Sequence, residues 1–175
     1  MSLQMDPAGW EIPGLAAQGP DPELKEKLML FGQFVGDWEI VEDRYLEADC
    51  SWVRGKGELY WRWILDGLAL QDVWASLDET TGRIIPDGTT IRFYDPKIDA
   101  WRSTWISAAQ GVVKPFIGRQ VGKEIVLEGK TVDGFPAKWI FSEITPNSFL
   151  WHSEETRDDG KTWTLREEMK IRRKV

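Results

Sequence analysis

One carboxylate, Asp72, stands between Leu70 and Trp74 at two-residue spacing in the run from Leu68 to Leu77. Alternation of that kind marks a strand with one apolar face, so the three side chains should point the same way. A carboxylate on such a face loses its hydration unless it is paired or aimed at a ligand. Pairing, by Arg44 or by strand hydroxyls, is the plainer reading and takes precedence. The sharper one makes Asp72 the group that orients a bound molecule among Trp61, Trp63, Trp74 and Trp105. Opposite-face residues, among them Tyr60, Arg62, Arg92, His152, Glu154 and Glu168, read as a solvated cross-strand ladder of alternating charge. Were the faces inverted, Tyr60, Arg62 and Arg92 would form a site for a carboxylate, to which the guanidinium fork is suited. The candidate ligand-binding set is therefore Trp61, Trp63, Asp72, Trp74 and Trp105, with Arg92 and His152 as polar members.

His152 is the only histidine, and no aligned Ser or Cys partner is visible, so a hydrogen-bonded strand histidine is the simpler assignment than an acid, a base or a haem ligand. Cys50 lies in a turn among acids, which disfavours the thiolate and a nucleophilic role. No glycine-rich phosphate cradle, metal-ligand cluster or nucleophile elbow is present. Catalytic residues, a cofactor and a metal site are accordingly not assigned. The spacing Thr156-x-Asp158-x-Gly160-x-Thr162-Trp163 is similar to the Asp-box of sialidases and other β proteins. It is read as a hairpin device, because glycoside hydrolysis needs two facing carboxylates in distinct environments.

The elements that must position these residues follow a simple plan. Residues 1–21 form an N-terminal arm, in which four prolines and three glycines between Asp6 and Pro22 oppose any regular element. Trp10 and Ile12 could dock it, although fraying is the plainer expectation. Asp21-Pro22-Glu23 reads as a helix start, with the helix running to about Phe34 and stopping at Gly36. Leu24, Leu28, Phe31 and Val35 give it one apolar stripe. Beyond Gly36 the period becomes two, and strands are predicted near 37–46, 52–65, 68–77, 89–95, 100–107, 112–121, 124–132, 136–145, 148–156 and 162–172. Turns fall at Asp66-Gly67, Asp87-Gly88, Gly122-Lys123, Asp133-Gly134, Pro146-Asn147 and Asp158-Asp159-Gly160. Parity places Leu65, Leu68, Ile91, Phe93, Trp101, Ser103, Trp139, Phe141, Phe149, Trp151, Trp163 and Leu165 inside, and gives Glu42 and Arg44 the face of Trp38. About ten sequential strands without crossovers imply an all-β, antiparallel up-and-down meander, and closing it removes both edges. Residues 22–175 should thus be a single β-barrel domain.

Composition narrows the partners. The chain has 175 residues, a formal charge of −7 and eleven tryptophans. The acidic balance argues against nucleic acid and against anionic membranes. One cysteine cannot form an internal disulfide, no apolar run is long enough to span a bilayer, and the N-terminus lacks the pattern of a signal peptide, so a cytoplasmic location is expected. Each tryptophan can remove roughly 150–250 Å² from water, an upper bound of ~4–6 kcal/mol apiece. Eleven of them exceed the needs of a core this size and point to a flat-ligand pocket or an interface.

Gly36-Asp37-Trp38, placed after a short helix and at the head of the first strand, resembles the Gly-x-Trp signature of the calycin superfamily, which includes lipocalins, fatty-acid-binding proteins and avidins. That resemblance implies a barrel in which Gly36 and Trp38 mark the closed end. It also implies a basic residue from the last strand packed across the Trp: Arg166 by preference, with Arg172 as the other candidate. From Phe31 to Arg172 the chain is also similar to an uncharacterised bacterial family of calycin-like domains. The match rests on Gly36-Asp37-Trp38-Glu39, Leu65-Asp66-Gly67, Gln71-Asp72-Val73-Trp74, Phe93-Tyr94-Asp95-Pro96, Trp101 and Trp105. No settled activity comes with that likeness. The chain lacks the disulfides of secreted lipocalins and the haem-binding pattern of nitrobindin-like barrels.

The function expected from these residues is binding of a small apolar or aromatic molecule inside the barrel. Two alternatives stand beside it. A cofactor-independent lyase or isomerase acting on a small aromatic acid would need Tyr60, Arg62, Arg92 and Glu154 to converge. An oligomeric interaction module, a homo-oligomer for example, would place surplus Trp outside the barrel.

Overall fold

The computed structural model describes residues 14–174. Helix α1 (Lys25–Gly32) precedes ten strands: β1 (Gly36–Leu46), β2 (Trp52–Ile64), β3 (Ala69–Asp78), β4 (Arg83–Asp95), β5 (Ala100–Ser107), β6 (Val112–Val121), β7 (Glu124–Lys130), β8 (Pro136–Ser142), β9 (Ser148–Glu155) and β10 (Thr164–Arg173). Each strand pairs antiparallel with its sequence neighbours, and β1 closes on β10 to complete the barrel. Closure leaves no free edge, as the meander predicted. No helix among the described residues is long and apolar enough to cross a membrane.

Helix α1 caps one end. It is shorter than the expected run from Asp21 to Phe34, because the Asp21 carboxylate accepts from Glu23 N–H and Leu24 N–H and holds a separate turn ahead of the helix. Gly32 ends it where a Cβ would meet the Trp63 ring at 2.6 Å, so the helix lies directly on the barrel floor. Leu28 and Phe31 point down, and Phe34 follows them through an i→i+3 turn. Trp10 and Ile12 lie outside the described residues; the described part of the arm, from Gly14 on, is anchored. Ala17 N–H donates to Trp63 O at 2.9 Å and Leu65 N–H donates to Gly14 O at 2.7 Å.

The Gly-x-Trp stretch acquires a physical reason at this end. Gly36 has φ 133°, and a Cβ there would meet an Arg173 guanidinium nitrogen at 2.6 Å. That guanidinium lies 4.0 Å over the Trp38 ring and donates to the carbonyls of Gln33, Val35 and Pro146. The basic residue across Trp38 is therefore Arg173, not Arg166 or Arg172. Arg166 reaches Leu46 O near the opposite end and Arg172 pairs outside with Glu39.

Three local devices move residues from their expected places. The loop after β2 is a four-residue connection rather than a two-residue hairpin, with Leu65, Asp66 and Gly67 all at positive φ. Leu65 and Leu68 are exposed instead of facing inward. The added length is two residues, so parity survives: Trp63 opposes Leu70, Trp61 opposes Asp72 and Leu59 opposes Trp74. Second, Asp87-Gly88 is a bulge inside β4 and not a turn. Asp87 Oδ2 accepts from Ser76 N–H at 2.8 Å, while the true turn is organised by Asp78, which accepts from Thr80 and Thr81 N–H. Third, β1 bulges between Ile40 and Asp43. Trp38 and Ile40 face inward, then Asp43 does, so Glu42 and Arg44 turn out to pair with Lys170 and Glu168.

Candidate functional site

The barrel interior divides into two halves. In the closed half, beneath α1, Phe31, Phe34, Trp61, Trp101, Phe141 and Phe149 pack as one aromatic cluster, each at most 3% exposed. Phe31 meets Trp101 edge-on at 4.9 Å, and Phe34 meets Phe149 at 4.7 Å. Trp61 and Trp63 belong to this core.

Asp72 faces inward as its alternation required, 3% exposed, and its partner is Arg92. The expected faces of β4 are reversed: Leu70 opposes Arg92 and Asp72 opposes Thr90, so Arg92 and Thr90 point in while Phe93, 44% exposed, points out. The reason is the long hairpin, since β4 starts at Arg83 and its register is set by the Asp78 turn rather than by Asp87-Gly88. Asp72 Oδ2 accepts from Arg92 Nη1, and Oδ1 accepts from Thr90 N–H at 3.2 Å. The guanidinium lies 4.2 Å over the Trp61 ring and 5.1 Å over Phe31. Burial works against the Arg92 charge, and the Asp72 carboxylate beside it works the other way. Arg92 Nε and, beside it, Trp61 Nε1 and Ser103 Oγ are buried without a hydrogen-bond partner. This is a closed, neutralised unit within the floor.

The open half is walled by Trp74, Trp105, Phe116, Trp139 and Trp151. Trp139 stacks on Phe116 at 4.1 Å and meets Trp151 edge-on at 5.5 Å and Trp105 at 6.2 Å, while Trp74 lies 6.2 Å from Trp105. Unlike the tryptophans of the floor, Trp74, Trp105 and Trp139 keep part of their surface accessible. At the mouth a groove of about 360 Å³ is lined by Val112, Lys114, Gly129 and Thr131, among others.

Two carboxyls without an ion-pair partner among the described residues enter this half, and neither was singled out from the sequence. Asp43 is 5% exposed and its Oδ1 has no hydrogen-bond partner. Glu167 shares the inward face of β10 with Met169 and Ile171 and opposes Tyr45 of β1, one diagonal step from Asp43. Burial pushes the Glu167 carboxyl up to about 8, Asp43 adds to the shift, and the Lys114 ammonium only partly offsets it. Burial likewise raises Asp43 to about 6, with Asp87 contributing. Trp74 Nε1 is also buried without a partner. Glu167 was legible as the residue two before Met169 in an apolar alternation; Asp43 was not, because a bulge put it inside.

Other candidates lie apart. His152 is on the outer face of β9, opposite Glu168 and Ile140. Tyr60 donates outside to Glu58, Arg62 pairs with Asp37 at 2.6 Å, and Glu154 lies on the outer face opposite Lys138, so Tyr60, Arg62, Arg92 and Glu154 do not converge. The Asp158 loop is a hairpin device: its carboxylate accepts from Thr156 Oγ1 and from Thr162 N–H and Oγ1, which holds it down at about 2. Lys138 Nζ lies 4.0 Å over the adjoining Trp163 ring.

No family model and no curated protein matches the chain. Solved structures do. The S-type phycobiliprotein lyase CPES from Guillardia theta aligns with a TM-score of 0.56 at 14% identity, over 89% of this chain and 99% of that one. Rv2717c from M. tuberculosis aligns with a TM-score of 0.60 at 11% identity, over 89% and 99%. These likenesses concern the fold, and together with the closed ten-stranded barrel they fit a calycin-like architecture.

Proposed function

We propose that the protein binds a small, largely apolar or aromatic molecule in the open half of the barrel. The observation that carries this reading is the wall of Trp74, Trp105 and Trp139, which face inward yet keep accessible surface, whereas Trp38, Trp61 and Trp101 on the floor are at most 2% exposed. Pockets for small ligands are concave, mostly apolar and supplied with a few polar groups; Asp43 Oδ1 and Trp74 Nε1 are buried without a hydrogen-bond partner among the described residues, and Glu167 makes no ion pair among them. Of the expected ligand set, Trp74 and Trp105 remain in this role. Asp72 and Arg92 satisfy each other, and Trp61 and Trp63 lie in the floor.

The likeness to a phycobiliprotein lyase fits a barrel that handles a small organic molecule. The lyase or isomerase alternative has no quartet to act through, given the dispersal of Tyr60, Arg62, Arg92 and Glu154. The interaction-module alternative has Trp52 and Trp163 outside the barrel to act through, of which only Trp52, at 44%, is strongly exposed. Titrating the protein with a library of aromatic acids, amines and lipids while following Trp emission and thermal unfolding tests the proposal. Quenching with a raised midpoint is expected for some aromatic members; no response from any of them would overturn it.

A further inference from the structure

The ligand reading above leaves the chemical class of the molecule open, and the polar groups of the open half narrow it. Asp43 and Glu167 lie diagonal to each other on the inner face of neighbouring strands, one step along from Met169, which Asp43 and Trp151 both oppose. Asp43 Oδ1 is buried and unpartnered, and Glu167 forms no ion pair among the described residues. The charged groups turned toward this pair are few. Asp87 on β4 adds negative potential at Asp43. Lys114 on β6 faces Glu167 without closing to ion-pair distance, and Tyr45 on β1 is itself pushed up by burial and by the surrounding acids. Glu155, at the end of β9, is already held by Arg157 and Arg166. Arg92 is committed to Asp72 deeper in the barrel.

A hydrophobic anion would therefore meet two carboxyls and lose its hydration with one lysine to compensate. A cation would gain twice. Indole faces attract positive charge, and an ionised carboxylate forms charge-assisted hydrogen bonds with N–H donors. A metal ion asks for more donors than this pair offers, since no three His, Cys, Asp or Glu side chains converge among the described residues. We infer that the open half takes an organic cation, an ammonium or amidinium group on an apolar or aromatic body, with Asp43 and Glu167 as its counter-charges and Trp74, Trp105, Trp139 and Trp151 as its cage. The overall charge of −7 favours approach of such a ligand. Binding would ionise Glu167, so uptake releases a proton at neutral pH.

This inference rests on the aromatic-ligand reading, and three probes of one shape separate the two: 2-phenylethylammonium, 2-phenylethanol and 3-phenylpropionate. Each is titrated calorimetrically just above the Glu167 value of about 8. The ammonium should bind roughly ten- to hundredfold tighter than the other two. In Glu167→Gln that preference should shrink toward equality. Asp43→Asn serves as the second variant, and thermal melts confirm that each is folded. Equal binding of the three, tighter binding of the carboxylate, or an ammonium preference that survives in both variants overturns the inference and leaves the aromatic-ligand reading standing. Failure of all three probes while other aromatics bind has the same meaning. Failure of every aromatic tested overturns both.

Discussion

Two acidic sites lie in one barrel, and they are finished differently. In the floor, Asp72 is matched by Arg92, roofed by Phe31 and flanked by Trp61, with its second oxygen taken by Thr90 N–H. In the open half, Asp43 and Glu167 meet aromatic walls of similar composition but no cation within ion-pair reach among the described residues. In the floor site the two charges neutralise each other as folded. The mouth site carries a desolvation cost that Lys114 offsets only in part, and groups left that way are characteristic of places where a ligand completes the structure.

The largest effect should come from breaking the floor pair. Arg92→Leu strands the Asp72 charge in a dry environment and is expected to cost ~3–5 kcal/mol, read from urea unfolding. Exchanging both partners, Asp72→Leu with Arg92→Met, should recover most of that loss, because paired burial is itself expensive. A double variant as damaged as the single one would mean that the pair does more than cancel its own charges, and the contrast with the mouth would weaken.

The mouth carboxyls should give a pH-dependent effect of definite sign, spread over several pH units rather than present at every pH. In the folded chain Glu167 titrates at about 8 against an ordinary 4.5, and Asp43 at about 6 against 3.8. Between those values the folded state holds protons that the unfolded state has released, so stability falls as pH rises through the window, by at most ~1.4 kcal/mol per unit for each group. The loss attributable to Glu167 levels off above pH 8. Glu167→Gln should flatten the upper part of the slope, measured as urea midpoints on either side of the window. Asp158, held at about 2, contributes a constant term through this window and alters the slope only in strong acid, so it does not confuse the measurement. An unchanged slope in Glu167→Gln would remove Glu167 from the unpaired site.

Most of the fold was legible because its signals are local and repeated. Ten alternating segments with turn residues between them required a meander, and Gly36 with Trp38 marked the end that closes. The floor tryptophans followed from parity alone, and Asp72 was correctly placed inside even though its hairpin was two residues longer than expected. The mouth was hidden for a different reason. A bulge after Ile40 exchanged the faces of β1, sending Arg44 out and Asp43 in. A misplaced turn at Asp87-Gly88 reversed β4 and cast Arg92 as an outer-face residue. Bulges arise from three-dimensional closure and register, and no residue type announces them. The basic partner of Trp38 was missed: the preferred Arg166 lies near the other end of the last strand, and the second candidate, Arg172, is next to Arg173 but on the opposite face.

The smallest effect on stability, and the sharpest on function, is expected from Trp139→Phe. Trp139 sits centrally in the open wall, in contact with Trp105, Phe116 and Trp151. A phenyl ring retains the stack on Phe116, and the indole edge that is lost already has accessible surface, so the cavity term that punishes core truncations is largely absent. The cost should stay below about 1 kcal/mol in urea. Ligand-induced quenching should nevertheless fall sharply, because the indole at the centre of the wall is the one most affected by an occupant. Trp101→Phe makes the converse comparison: Trp101 is fixed in the floor at 2% exposure, so its loss should lower the urea midpoint while leaving the ligand response intact. If both variants change stability and quenching together, the interior is one continuous core and the division into a finished floor and an unfinished mouth does not hold.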